Sequence, residues 1–176
     1  MAGIDETLSF HPLHIAILTV SDTRTMETDT SGRCLQDRAE QAGHTVVERR
    51  ILADDYDSLV GQLQAWIDRS DVEVILTTGG TGVTGRDITP EALEAVAEKH
   101  IPGFGELFRW LSYANIGTST IQSRATAVVA KGTYIFALPG STGACKDAWD
   151  GILRDQLDIR HKPCNFAELI PRLREH

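Results

Sequence analysis

The amino-acid sequence predicts an α/β fold, a three-layer α/β/α sandwich built on a mostly parallel sheet. Two patterns predict it. Near-continuous apolar runs recur along the chain, as strands buried on both faces require. Stretches with apolar residues at helical spacing fill the gaps between those runs, and strands alternating with helices imply a sheet covered on both sides.

Residues 1–12 show no period and are expected as an N-terminal arm or a disordered start. Leu13 to Ser21 is the first apolar run and reads as a central strand. Ser31 is a suitable cap for a helix that stops at Gly43. His44 to Leu52 alternates more strongly, so this strand belongs towards a sheet edge. Leu59, Leu63, Trp66 and Ile67 form one helical stripe, and Val72 to Thr77 is the next buried strand. Thr89 and Pro90 read as N-cap and first helical residue, because proline gives up only an N–H that would be orphaned anyway. Phe104, Leu107, Phe108 and Leu111 mark a further helix. Thr133 to Leu138 is another buried strand, followed by a helix carrying Cys145, Trp149, Ile152 and Leu153. Trp66, Trp110 and Trp149 all fall in apolar stripes, which assigns them to the core. There is no repeat and no linker, so residues 13–176 are expected as a single domain.

Composition narrows the function classes. With 176 residues, 41% hydrophobic and 24% charged, the chain matches an ordinary globular protein that needs no disulfide or metal staple. A net charge of −8 argues against nucleic-acid partners, which demand a positive face. Cys34, Cys145 and Cys164 are scattered and form no CxxC pair, which suits a reducing compartment and offers no zinc framework. The histidines show no metal-ligand spacing. The first dozen residues lack an apolar core, and Ile15 to Val20 is far shorter than the ~20 residues a membrane span takes. A cytoplasmic protein without membrane contact is the expectation.

In parallel sheets ligands sit beyond the carboxyl ends of the strands. The loop directly behind each apolar run is therefore informative. Ser21-Asp22-Thr23-Arg24 comes after the first strand, Thr77 to Asp87 after the Val72 strand, and Pro139-Gly140-Ser141-Thr142-Gly143 after the Thr133 strand. All are rich in Gly, Ser and Thr, residues that let a backbone approach a ligand and turn donors inward. The loop from Gly79 to Asp87 is expected to floor an anion-binding site. Gly80 to Gly85 fits G-x-G-x-x-G, but it does not come after the first strand and its helix starts late, so a dinucleotide-binding oxidoreductase is disfavoured. Read as a P-loop, the same stretch has Arg86 and Asp87 where Lys and a hydroxyl belong.

Asp87 ends the glycine loop just ahead of a helix, where it could hold Mg²⁺, orient a nucleophile, or simply favour the helix start. Asp54-Asp55, with Asp57 beyond, are either metal-binding carboxylates or acidic decoration of the Leu59 helix. Arg86, Arg24 and Lys146 are the cations best placed to meet phosphate, and Ser31-Gly32 reads as a cap rather than a ligand contact.

At these residues the chain resembles the molybdenum-cofactor biosynthesis proteins MoaB and MogA, related to the N-terminal domain of gephyrin. The matching segments are Thr77-Thr78-Gly79-Gly80-Thr81-Gly82, Arg86-Asp87-Ile88-Thr89-Pro90-Glu91-Ala92, Pro102-Gly103-Phe104-Gly105 and Leu138-Pro139-Gly140-Ser141. Thr28-Asp29-Thr30-Ser31-Gly32, Ile116-Gly117-Thr118-Ser119-Thr120, Gln122-Ser123-Arg124-Ala125 and Pro163-Cys164-Asn165-Phe166 are similar to the MoaB branch. Ala53 departs from the proline the family often has before its first aspartate pair.

The resemblance implies a MoaB/MogA-like three-layer fold assembled as a homo-oligomer, a hexamer in the MoaB branch rather than a trimer. It implies molybdopterin as ligand and, in active members, transfer of AMP from Mg·ATP to the pterin phosphate with release of pyrophosphate. Asp54 and Asp87 fall on the two catalytic aspartates, with Mg²⁺ as their metal. Ser21, Asp22, Thr78, Gly79, Gly80, Thr81, Gly82, Arg86, Pro139, Gly140 and Ser141 fall on substrate-binding segments. Other proteins of the same biosynthesis are further expected partners. The alternative within the MoaB branch is a non-catalytic oligomer that binds the pterin and leaves the chemistry to another protein.

Overall fold

The computed structural model describes residues 2–175; Met1 and His176, the outer ends of the expected arm and domain, lie outside the described residues. Strands are β1 (Gly3–Ile4), β2 (His14–Val20), β3 (Thr45–Leu52), β4 (Val74–Thr78), β5 (Lys99–His100), β6 (Thr126–Ala130), β7 (Thr133–Leu138) and β8 (His161–Lys162). Helices are α1 (Thr30–Gln41), α2 (Tyr56–Ile67), α3 (Thr89–Val96), α4 (Pro102–Ile116), α5 (Thr142–Ala148), α6 (Arg154–Gln156) and α7 (Phe166–Leu169). A 3₁₀ turn at Gly117–Gln122 comes after α4, and a π turn at Trp149–Leu153 joins α5 to α6.

The main sheet has the order β3-β2-β4-β7-β6-β5. β3, β2, β4 and β7 run parallel; β6 is antiparallel to β7, and β5, antiparallel to β6, restores the common direction at the edge. As its stronger alternation suggests, β3 lies at an edge. Alternate side chains of β2 explain its unbroken apolar run. Ile15 and Ile17 enter one core with α1, α4 and π-turn residues such as Leu35, Phe108 and Trp149. Ala16, Leu18 and Val20 enter the other with Leu59, Leu63, Trp66 and Leu93. Two cores on opposite faces of one sheet make the three layers.

After β2 the chain crosses to the α1 side, whereas after β4 it crosses to the α3 side. The two loops therefore diverge at neighbouring strand ends. Such a switch point opens a crevice at the carboxyl edge of a parallel sheet.

Several local expectations change. The cap of α1 is Asp29, whose carboxylate accepts the Gly32 N–H at 2.8 Å; Ser31 is already inside the helix. Thr89 is the first residue of α3, not its cap. Trp110 is 72% exposed and Leu107 40%, so the apolar stripe of α4 is wider than its buried face. β5 and β6 are additions to the sequence reading, since β5 is only the polar pair Lys99–His100 and β6 is short and built of small residues. The arm carries β1, which pairs with β8, and Phe10 packs against His44. No helix among the described residues is long and apolar enough to cross a membrane.

Candidate functional site

The glycine loop leaves β4 with its backbone bent into conformations side chains resist. Gly79 has φ +105° and Gly80 φ +65°. A Cβ on Gly79 would stand 2.2 Å from the Val20 carbonyl oxygen. One on Gly80 would meet the Thr89 hydroxyl at 2.5 Å and Asp54 at 3.4 Å, so the loop can lie between β2 and α3 only as glycine. Hydroxyls then fasten it. Thr78 Oγ1 donates to the Pro139 carbonyl at 2.9 Å, and Thr89 Oγ1 donates to the Gly79 carbonyl at 2.8 Å. Gly79 N–H donates to the Leu138 carbonyl at 3.0 Å, tying the loop to the end of β7.

Arg124 clamps the outer side. Its Nε donates to the Gly82 carbonyl at 2.6 Å and a terminal nitrogen to the Asp87 carbonyl at 2.8 Å, while its guanidinium also pairs with Glu91. Of the glycine-segment N–H groups, that of Gly79 is taken up by Leu138, while those of Gly80 and Thr81 have no hydrogen-bond partner among the described residues and are open to an anion.

The three loops close around one cavity of about 780 Å³. Ser21 and Asp54 line it from the β2 and β3 ends. Thr78, Gly79, Gly80, Thr81 and Gly82 form its floor, with Arg86 and Asp87 beyond. Pro139, Gly140 and Ser141 close the β7 side. Asp22 stands just outside. Its carboxylate accepts the Asp54 N–H at 3.0 Å and forms an ion pair with Arg86. Arg24 lines the wall, whereas Lys146 is exposed outside it. Ser31, expected as a cap, is on the cavity wall, donating to the Gly140 carbonyl at 3.1 Å. Asp55 caps α2 through the Ser58 N–H at 2.9 Å, and Asp57 is in its first turn, so helix-start roles account for both.

The two lining aspartates have unlike environments. Asp87 accepts the Thr84 N–H at 2.8 Å and the Thr84 hydroxyl at 2.7 Å, and that hydroxyl above all holds its carboxyl below the usual range. Asp54 is pushed the other way, by burial first and then by the charges of Asp22 and Asp87. Among the described residues no cluster of three His, Cys, Asp or Glu surrounds a metal position. Cys145 lies under Thr78, 3.3 Å from its hydroxyl, and burial pushes its thiol up to about 12, so it is no nucleophile.

The far wall has no counterpart in the sequence reading. It comes from α4, the 3₁₀ turn and α5, and includes Phe108, Ser112, Asn115, Ser123 and Asp147. The Gln122-Ser123-Arg124-Ala125 segment is the available signal, since it supplies both Ser123 and the loop clamp.

The family model described as a probable molybdopterin binding domain matches residues 16–159. The chain is 54% identical to molybdenum cofactor biosynthesis protein B of Escherichia coli K12 over 157 residues, 89% of this chain and 92% of that protein. A crystal structure of a molybdenum cofactor biosynthesis protein B superposes with a TM-score of 0.86 at 38% identity, covering 96% of this chain and all of the other. The tungsten cofactor synthesizing protein MoaB from Pyrococcus furiosus has a TM-score of 0.76 at 31% identity, with 93% and 98% covered.

Proposed function

The chain belongs to the molybdopterin-binding domain family that includes MoaB and MogA, and from that membership we propose that it acts in molybdenum cofactor biosynthesis, binding molybdopterin in the rim cavity and adenylylating it with Mg·ATP. The observation that carries this reading is the placing of Asp54 and Asp87 at one glycine loop, with Asp54 destabilised as an anion by burial first and then by the charges of Asp22 and Asp87. Carboxylates gathered beside a phosphate cradle call for a further cation.

The donors fit Mg²⁺. Asp54 and Asp87 offer hard carboxylate oxygens, and Mg²⁺ is commonly held by one or two carboxylates together with substrate phosphates rather than by an all-protein cage. When bound there, Mg²⁺ supplies neutralisation of phosphate charge. The chain's own residues position the reactants. The Gly80 and Thr81 N–H groups take phosphate oxygens, and Thr84 keeps Asp87 ionised. A terminal oxygen of the pterin phosphate bonds to the α-phosphorus of ATP as the bond to pyrophosphate breaks. No protein nucleophile takes part, and catalysis is positioning and charge.

Asp87→Asn should retain pterin binding and lose turnover by roughly a hundredfold or more, as a group needed only for charge in the transition state would. The assay follows adenylylated pterin and pyrophosphate; unchanged turnover would remove Asp87 from the reaction. A binding-only role is favoured by one observation, the ion pair that already engages the cavity-lining Arg86 with Asp22. Pterin binding without AMP transfer under any metal condition would establish that reading. A homo-oligomer is supported by the exposed Trp110, Tyr113 and Ile121, apolar residues of the kind interfaces cover, and the hexamer rather than the trimer is taken from the resemblance to the MoaB branch. The mass in solution checks it.

A further inference from the structure

The far end of the cavity has a polar pair that phosphate binding does not use. Asp147, on α5, and Asn115, on α4, both line it, and Asn115 Nδ2 donates to Asp147 Oδ2 at 3.0 Å. Among the described residues no other group donates to the Asp147 carboxylate. A carboxylate has about four acceptor sites, so most of its capacity is left for a ligand or for water. Behind the pair the wall is closed by buried Phe108 and by Ser112, also buried, one helical turn before Asn115, while Asn115 itself is exposed at the cavity mouth. Both members sit on helices packed against each other, which fixes the direction of the free oxygen.

The spacing suits a ligand with a phosphate at one end and a heterocycle at the other. Ser141 begins α5 at the phosphate loop, and Asp147 lies six residues along it, roughly 9 Å at 1.5 Å per residue. We infer that Asp147, oriented by Asn115, recognises the amino-lactam edge of the pterin ring and is the residue that separates the pterin from the adenine of ATP. This rests on the pterin-binding reading above. A pterin presents a ring N–H and an exocyclic NH₂ side by side, two parallel donors that one carboxylate accepts, in the way a carboxylate accepts two donors of an arginine. Adenine presents an NH₂ beside a bare ring nitrogen. That second position would set acceptor against acceptor, which a site built for donors rejects. Adenine is thereby directed to the opposite side of the glycine loop, and the two phosphates meet above it.

The test measures affinities of wild-type protein, Asp147→Asn and Asn115→Ala for a 6-substituted pterin monophosphate and for its lumazine counterpart, in which a carbonyl replaces the 2-amino group. Wild type should prefer the pterin by roughly tenfold or more, the scale of a hydrogen bond to a charged group. Asp147→Asn offers one acceptor and one donor, so its preference should collapse or invert towards lumazine while ATP affinity is unchanged. Asn115→Ala should lose part of the preference. A ratio unmoved by Asp147→Asn, with pterin still bound, would overturn the assignment and leave the pterin site standing. Wild type that binds neither compound would overturn the pterin-binding reading and this one with it.

Discussion

The carboxylate of Asp22 accepts the backbone N–H of Asp54 at 3.0 Å, and through that bond the loop after β2 sets the position of a carboxylate on the loop after β3. The same Asp22 side chain holds Arg86, whose contact keeps the Asp22 carboxyl below its usual range. One exposed residue thus links an aspartate of the candidate metal site to the cation that would meet a nucleotide phosphate.

The two contacts separate by mutation. Asp22→Asn keeps an oxygen for the Asp54 N–H and loses the ion pair. Arg86 is then free to meet phosphate, and ATP should bind a few-fold more tightly, the scale of an exposed ion pair. Asp22→Ala removes the acceptor as well, so the tighter binding should come with slower turnover as Asp54 loses its anchor. Calorimetric titration with ATP and Mg²⁺ reads the first effect and AMP transfer the second. Equal ATP affinity in wild type and Asp22→Asn would show that Arg86 is not held back by its partner.

Arg124 shapes the glycine loop from outside the cavity, so its loss should act on binding through backbone order. Arg124→Ala leaves the Gly82 and Asp87 carbonyls without their charged donor, a change worth about 1–3 kcal/mol. Amide exchange across residues 79–87 should quicken, and pterin affinity should drop by roughly tenfold. Arg124→Lys supplies one donor in place of a fork and should recover little. Tight binding with a fast-exchanging loop would show that the loop is ordered by its ligand instead.

The legibility of the site depends on where its information lies along the chain. The rim loops are readable because β2, β4 and β7 are buried on both faces, which makes each strand a plain apolar run with its loop directly behind. The far wall is not, because Asn115 meets Asp147 across 32 residues of chain and nothing local marks either. The α1 cap shows the same limit on a smaller scale. Asp29, Thr30 and Ser31 are all acceptable caps by residue type. Asp29 takes the position because its other carboxylate oxygen also accepts the Thr19 hydroxyl, at 2.7 Å, a contact set by β2. Helical period misplaces Trp110 because it does not say whether an apolar face meets the core or lies open.

Acid should weaken the fold through His44. The ring is buried where the arm, β3 and the π turn meet, between Phe10 and Trp149, and its Nδ1 accepts the Leu13 N–H at 3.1 Å. Acceptance at Nδ1 requires the neutral ring, with the proton on Nε2, which has no partner among the described residues. Burial lowers the pKa from 6.5 to about 4, although Asp158 and Glu73 act in the opposite direction. The unfolded chain therefore binds this proton at higher pH than the folded one. Stability from His44 is whole above about pH 6.5 and falls as pH drops towards about 4, by at most about 3 kcal/mol. His44→Gln keeps an acceptor for Leu13 and does not titrate. Urea midpoints for wild type should fall between about pH 7.5 and about pH 5, and the variant should lose measurably less over the same interval. Parallel losses in the two proteins would place the acid sensitivity in groups other than His44.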